Sequence, residues 1–549
     1  MTSDPPPFTA SVSLEKRDGA ARIASMDGYK LPLMIDFLKR WEFEFVESID
    51  FGFAPYSLKY LDKRRYEILG SKDENITVAS GLKTLSPRKK VDALFSLRKK
   101  DWRALYAPAA ASPQNVPLLV YLGADIVDNI LPIVEAYNGN YMLGETQFNV
   151  NTLKELPCTC SVCSSTTADE LKNSQLGERS ELLALHNTKM LENQLVLIRE
   201  HIRSDNLRNF VEWRSKTDPE LAAILRIADE EDSANSPFFK RSRVLFTSLE
   251  FDRPELSLFL ERATNSYNPQ GKTVVILPCT ATKPYLNSKT HRTLRKEVNF
   301  RGVNEIIISS PLVSPRELEL CYPVINYDTT VTGHWTGDEI RFVAQKLAHF
   351  ISRGNFERII AHVDGTYQRI VEEATDGMEV TYTCVDGVLN HSSIERLKEE
   401  VKDSPQIRFS LYHSMFDHMC RYQFGVELDG IDRKYKVKGR YPHLELYSGK
   451  ERVMRMDTRY GMLDIDIPFA EYLLEVGVKN VRIDNFDPKG TVFAAGILEA
   501  DSSIRPNDVV VFYNDNLLGV GISHMFGKEM VEMNSGHAIR VRRKSKLRK

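Results

Sequence analysis

Cys158, Cys160 and Cys163 fall within six residues in PCTCSVC, and His186 follows after 22 more on a stretch of helical periodicity. Thiolates and an imidazole at these spacings can wrap one zinc ion in a tetrahedron, and four protein ligands leave no position for water. The site is therefore read as structural. Free surface thiols are the competing reading, and three so close together would invite oxidation. The chain's 7 cysteines, an odd number, argue against a disulfide framework and for metal binding or catalysis.

A second group lies in TVVILPCTATKPYLNSKTHR. A buried strand ends at Pro278, and Cys279 opens the loop after it, with Lys283, Pro284, Tyr285, Ser288 and His291 behind. A thiol with an ordinary pKa of ~8.5 is a poor nucleophile at neutral pH unless a cation, a base or a helix amino terminus favours its thiolate. Lys283 and His291 could supply the first two. Read without context, the same cysteine also fits a small core residue. His334 in VTGHWTGDE and Asp364 in VDGTY follow strand-like segments of the same region and could face the same crevice. Local backbone pairing for His334 and helix capping for Asp364 are the alternatives.

The 73 basic and 75 acidic residues nearly cancel, so any surface for a polyanion must be local. The carboxyl end IRVRRKSKLRK concentrates Arg540, Arg542, Arg543 and Lys544 with three further cations. It reads either as a solvated tail or as a nucleic-acid contact. No apolar run approaches the ~18 residues needed to span a bilayer, and MTSDPPPFTASVSLEKRDG lacks the apolar core of a signal peptide. A cytoplasmic protein with no membrane partner is expected.

Length and pattern then set the elements that must hold these residues. At roughly 150 residues per domain, 549 residues imply three or four units, and 42% hydrophobic with 27% charged residues is a folded composition. Pro5, Pro6 and Pro7 mark a disordered lead-in. From about Asp36 to Val150, strand-like PLLVYLGADIV and helical VDALFSLRKKDWRALY suggest an α/β unit. Residues 180 to 230 read as helix, and DEEDSANSP at 229 to 237 as a linker. Beyond Phe239, KTVVILP, NEIIISSP, RIIAHVD and VTYTCVD alternate with helices such as TGDEIRFVAQKLAHFISRG, where Thr336 and Glu339 have capping-box spacing. That alternation implies a doubly wound parallel sheet whose strand-end loops form a crevice. Residues 391 to 475 read as α+β, and 478 to 543 as a strand-rich, barrel-like module.

GADIVDNILPIVEAYNGNYM, LKELPCTCSVC, LLALHNTKMLENQLVLIREHIR and FVEWRSKTDPELAAILR resemble the zinc-binding half of archaeal tRNA-guanine transglycosylases. The resemblance assigns zinc to Cys158, Cys160, Cys163 and His186 and aligns Asp128 with the family's nucleophile, where a loop or helix-cap carboxylate is the other reading. A whole (β/α)8 barrel needs ~250 residues, but only 157 precede Cys158 and the family's DSGGFQ element is absent, which opposes base exchange.

PC-x3-KPY-x2-S-x2-H, met by Pro278, Cys279, Lys283, Pro284, Tyr285, Ser288 and His291, resembles the signature of archaeosine synthases, and NVRIDNFDPKG through HAIRVRR resembles a PUA domain. The implied fold is multidomain α/β: a truncated transglycosylase-like barrel half with a structural zinc (1–235), a doubly wound catalytic domain (236–390), an α+β pre-PUA domain (391–475) and a PUA β-barrel with a basic tail (476–549). The implied reaction adds an amine to the nitrile of 7-cyano-7-deazaguanine (preQ0) at position 15 of the tRNA D arm, giving an amidine. Free lysine is the expected donor, with glutamine or ammonia as alternatives; guanine exchange is the runner-up activity.

Cys279 would be the nucleophile, His291 the proton carrier, and Lys283 and Ser288 the stabilisers of charge. Pro278, Pro284, Tyr285, His334 and Asp364 would line the substrate. Arg505, Lys528, Arg540, Arg542, Arg543 and Lys544 would meet RNA phosphates. The preQ0-bearing tRNA is the expected partner, with a downstream enzyme completing archaeosine and a second copy of the chain as further candidates.

Overall fold

In the computed structural model, residues 12–26, 28–39, 76–100, 102–231, 236–247, 251–331, 334–405 and 410–546 are described. The Pro-rich lead-in, residues 232–235 of the expected linker, and Arg548 and Lys549 lie outside them. The chain divides into two units: the first holds residues up to 237 with 481–506 and 522–541, and the second holds 238–480, 507–521 and 542–549.

The first unit opens with an antiparallel sheet of β1 (Val12–Asp18), β2 (Ala21–Met26) and β3 (Tyr29–Leu31). β4 (Leu33–Ile35), β5 (Ile76–Val78), α1 (Pro87–Lys100), β6 (Ala104–Tyr106), α2 (Val116–Tyr121) and β7 (Ile126–Asp128) follow. The four strands form a parallel sheet in the order β4-β7-β6-β5, half the strand number of a closed (β/α)8 barrel. The run PLLVY, expected as strand, is α2. All six residues of α2 are buried, and a short run apolar on every side shows no periodicity to separate helix from strand. Arg22 and Arg98 hold the sheet from below through the buried Asp125, at 2.8 and 2.6 Å.

Next come α3 (Ile130–Tyr137), the hairpin β8 (Asn140–Met142) and β9 (Gln147–Asn149), α4 (Ala168–Asn173), α5 (Leu176–Arg203), α6 (Leu207–Ser215) and α7 (Pro219–Glu231). The stretch read as helical is three helices, broken where Asp205 adopts a left-handed φ of 57° and again before Pro219. Asp229, Glu230 and Glu231, expected in a linker, complete α7. Leu191, Leu195, Ile198 and Ile202 of α5 pack with α1, α2 and α7 in one core.

The second unit begins with β10 (Val244–Phe246), α8 (Pro254–Ser266), β11 (Thr273–Pro278), α9 (Lys289–Glu297), β12 (Asn304–Ile308) and β13 (Val313–Pro315). It continues with β14 (Tyr327–Thr329), α10 (Gly337–Gly354), β15 (Arg358–Ala361), α11 (Gly365–Ala374), β16 (Val380–Tyr382) and α12 (His391–Lys402). Five strands run in the order β13-β12-β11-β15-β16. β11 pairs in parallel with β12 and β15, so the chain moves to one side of β11 and then to the other. A reversal of this kind opens a crevice at the carboxyl end of the strands. Every residue of β11 is buried, which explains its unbroken apolar text. The capping box of Thr336 and Glu339 starts α10. α12, grouped by sequence with the next domain, buries Ile394, Leu397 and Val401 against Val275, Leu277 and Ile360 of the sheet.

α13 (Leu411–Phe424) and α14 (Ile431–Lys434) lead into an antiparallel meander, β17 (Tyr435–Arg440), β18 (His443–Ser448), β19 (Glu451–Asp457) and β20 (Met462–Ile465), closed by α15 (Ile467–Glu475). The remaining elements are β21 (Asn480–Ile483), β22 (Thr491–Phe493), β23 (Ile497–Ala500), β24 (Val509–Tyr513), β25 (Leu517–Ser523), α16 (Gly527–Glu532) and β26 (His537–Lys546). Within the first unit β21 pairs with β23 and β22 with β26; within the second, β24 packs on α15 and β20. Among the described residues, no helix is long and apolar enough to cross a membrane.

Candidate metal cluster and active site

The donor atoms of Cys158, Cys160, Cys163 and His186 all lie within 4.8 Å of one another. His186 Nδ1 is 3.5 Å from Cys160 Sγ and 3.4 Å from Cys163 Sγ. Metal–sulfur and metal–nitrogen bonds of ~2.3 and ~2.0 Å at a tetrahedral angle place such atoms about 3.6 Å apart, so the set fits one ion. His186 Nε2–H donates to the Met142 carbonyl at 2.9 Å, which leaves Nδ1 as the lone-pair face turned to the thiols. Burial lowers the His186 pKa to about 4, so the ring is a neutral ligand. Tyr141 stacks on the ring at 3.8 Å and its hydroxyl lies 3.1 Å from Cys163 Sγ. Three short segments meet here because α5 carries His186 past the β8–β9 hairpin, with Leu183 and Ala184 buried beside Tyr141.

Cys279 stands just beyond β11, at the reversal of the second unit's sheet, and its N–H donates to the Ile308 carbonyl of β12 at 2.8 Å. Its Sγ lies 3.2 Å from the Tyr367 hydroxyl at the start of α11. Burial, and next the charge of Cys279, raise the Tyr367 pKa far above the usual phenol value, so Tyr367 keeps its hydroxyl proton beside the sulfur. Trp335 meets the Tyr367 ring edge-on at 5.2 Å. Lys283 Nζ sits 3.8 Å from the centre of the Tyr327 ring. Burial lowers its pKa, while Cys279 and Asp328 draw it back up, so a partly desolvated ammonium faces the thiol. Tyr285 and Tyr327 join hydroxyls at 2.7 Å, and Tyr327 also bonds Ser309. These buried phenols hold the loop 279–288 on the sheet.

His291, expected to carry protons, has both ring nitrogens engaged. Arg316 can only donate, so His291 Nδ1 accepts from its Nη2 at 2.7 Å, and Nε2–H donates to the Pro278 carbonyl at 3.1 Å. Arg316 in turn binds Glu305 at 2.9 Å and Glu319 at 2.8 Å. Ser288, expected to stabilise charge, caps α9: its Oγ accepts from His291 N at 3.2 Å and it is buried. Both residues therefore hold the strand end that carries Cys279. Pro284 is buried within the loop 279–288.

Burial first, and then the Arg316 charge, depress the His291 pKa to about 2. The folded state thus binds fewer protons than an unfolded histidine titrating near ~6.5, and stability is lost as pH falls below that value. His291 should contribute a loss of about 2 kcal/mol on going from pH 6.5 to pH 5. Urea unfolding at the two pH values checks this, with His291→Gln expected to flatten the dependence.

His334 is exposed one residue before Trp335. Asp364 occupies the N-cap position of α11, is exposed and makes no side-chain cap bond, three residues from Tyr367. The basic residues expected on RNA divide. Arg543 binds Asp464 at 2.8 Å and Asp466 at 3.0 Å, and Arg505 donates to the Ser236 carbonyl at 2.8 Å; both are spent on structure. Lys528 pairs loosely with Glu532 at 3.5 Å. Arg540 and Arg542 are half-buried and Lys544 is exposed on β26, a strand rather than a frayed tail. Asp128 is fully buried and accepts from Tyr106 Oη at 2.7 Å, Ala109 N at 2.8 Å and Ile130 N at 2.9 Å. Burial raises its pKa to about 6. It ends β7, and its carboxylate is held by these three donors, one of them in the first turn of α3.

Residues missed by sequence reading are Tyr367, Tyr327, Ser309 and Arg316. They are separated from the motif in the chain, and no spacing rule links them to it.

Four families match parts of the chain: queuine tRNA-ribosyltransferase over 89–220, a domain of unknown function (DUF5591) over 256–401, a pre-PUA domain over 409–474 and the PUA domain over 487–544. The archaeosine synthase subunit alpha of Methanosarcina acetivorans is 36% identical over 505 residues, spanning 86% of this chain and 80% of that protein. The archaeosine synthase of Haloferax volcanii is 33% identical over 80% of this chain and 76% of its own length. The tRNA-guanine(15) transglycosylase of Methanothermobacter thermautotrophicus is 26% identical over 83% of this chain and 68% of its own.

Proposed function

The chain belongs to the archaeosine synthase family, and from that premise we propose that it adds free L-lysine to the nitrile of preQ0 in tRNA, forming an amidine. The observation that carries this reading is the Cys279 thiol with a phenol donor at 3.2 Å and a half-buried lysine beside it at a strand-end crevice. A nitrile carbon is electrophilic but sluggish, and a thiolate splits its addition into two easier steps.

The Cys279 thiolate attacks the nitrile carbon, a C–S bond forms, and the nitrile nitrogen takes a proton to give a thioimidate. Tyr367, protonated and already hydrogen-bonded to Sγ, is the acid for that proton, and Lys283 stabilises the charge that develops on the nitrogen. The lysine amine then adds to the same carbon, the C–S bond breaks, and the thiolate leaves. The amine proton restores Tyr367, every atom of both substrates stays in the amidine, and no cofactor is consumed. Asp364 would receive the donor's second ammonium group, with His334 at the same rim. His291 and Ser288 position the nucleophile.

Zinc is the ion the cysteine cluster would take, since three thiolates and an imidazole suit it and leave no open position. It takes no part in these steps. Cys160→Ala should lose its bound metal and melt several degrees lower, at roughly 2–4 °C per kcal/mol for a large domain. Metal content by mass spectrometry and a melting curve check this; full metal with unchanged melting would make the cluster a set of free thiols.

Incubation with preQ0-bearing tRNA and lysine, followed by nucleoside mass measurement, tests the reaction. A gain of the lysine mass supports it. Incorporation of labelled guanine would favour base exchange, against which the occupied Asp128 carboxylate speaks.

A further inference from the structure

The second unit contains a cavity of about 1790 Å³, larger than the ~300–1,000 Å³ usual for small-molecule sites. Its walls come from α9, the segment leading into β12, the start of α13 and the β17–β18 turn. The lining is basic. Arg292, Lys296, Arg301 and Arg440 are exposed and none has an ion-pair partner among the described residues. Of the acidic residues on the wall, Glu297 pairs with Lys398 at 3.5 Å and Glu305 is held by Arg295 and Arg316. Glu317 is 5% exposed. Lys436 and Lys438 extend the positive line along β17, alternating outward with Arg440.

An aromatic platform completes the cleft. Tyr412 is 37% exposed and stacks on Tyr441 at 6.0 Å with 14° between the rings. Tyr441 is fixed in turn by donating to Glu319 at 2.6 Å. Unpaired cations beside a braced, solvent-facing ring suit a single-stranded nucleic acid, whose phosphates need charge and whose unstacked bases need a flat apolar face. Leu286 and Asn287 also line the cavity, and they lie between Tyr285 and Ser288 of the Cys279 loop.

We propose that this cleft binds a single-stranded segment of the tRNA substrate, with phosphates on Arg292, Lys296, Arg301 and Arg440 and one base stacked on Tyr412. It rests on the reading of tRNA as the substrate given above. A strand held here reaches the loop that presents Cys279.

The test uses the full-length protein and a fluorescent tRNA transcript lacking preQ0, titrated across a range of salt. Arg301→Gln/Arg440→Gln should reduce the slope of log affinity against log salt by about 0.7 per lost phosphate contact. Tyr412→Ala should weaken binding about tenfold, and Tyr412→Phe, which keeps the ring, should bind as the parent does. Melting curves report whether each variant is folded; Arg301→Lys/Arg440→Lys, which keeps the charge, should restore the slope. A parental slope in the folded glutamine variant would overturn the proposal, leaving β17's cations as guards of a sheet edge. Binding is read without preQ0 or lysine. Failed transfer by the parent protein would therefore sink the reaction and spare the cleft, whereas a parental slope beside working transfer would sink the cleft alone.

Discussion

Cys279→Ser is expected to bind preQ0-bearing tRNA as the parent does and to transfer lysine at least about 10³-fold more slowly. The substitution keeps size and a hydrogen-bonding atom next to Tyr367, so the loop and its buried phenols need not move. What changes is the nucleophile: an alcohol is scarcely ionised at neutral pH, and neither a phenol at 3.2 Å nor the Lys283 ammonium can make it an alkoxide. Without lysine, the parent protein should accumulate a covalent adduct seen as added mass on the Cys279 peptide, and the serine protein should not. A serine variant that transferred lysine at near the parental rate would eliminate the covalent step and make Cys279 a packing residue. Tyr367→Phe separates the two halves of the mechanism: it removes the acid but leaves the thiol, so the adduct should form more slowly by about 10²-fold with tRNA affinity unchanged.

How much of this site can be read from the text follows from distance along the chain. Cys158, Cys160 and Cys163 are local, and His186 follows on a helix whose periodicity is plain, so the cluster at 4.8 Å is legible from spacing alone. Cys279, Lys283, Tyr285, Ser288 and His291 are equally local. Tyr367, by contrast, is 88 residues from Cys279 and reaches it only because β15 pairs in parallel with β11. Arg316 reaches His291 from 25 residues away and converts an expected acid–base histidine into a buried strut. A motif states that a histidine is present, whereas its tautomer and partners decide what the histidine can do. The fold shows the same division. Fully buried β11 is legible because strand neighbours on both sides demand an unbroken apolar run, but α2 is equally apolar and is a helix, so burial on every face erases the period that separates the two.

Lys283→Met tests the electrostatic half of the site. The Lys283 ammonium lies 3.8 Å from the Tyr327 ring centre, is partly desolvated, and is drawn to the charge on Cys279. Methionine fills the same volume without charge, so the Tyr327 ring stays covered and the fold should hold. Two losses follow from one deletion. The attacking sulfur loses the cation beside it, and the nitrogen anion of the addition step loses its counter-charge. Together these should lower kcat about 10² to 10³-fold, with KM for tRNA little changed because the cation does not lie in the basic cleft. Lys283→Arg restores a charge and should recover part of kcat. The alternative places this ammonium on the donor's carboxylate. In that case Lys283→Met would raise KM for lysine and form the thioimidate at the parental rate when lysine is absent. The last measurement decides, because only a residue acting on the thiol and nitrile can alter a step in which the donor takes no part.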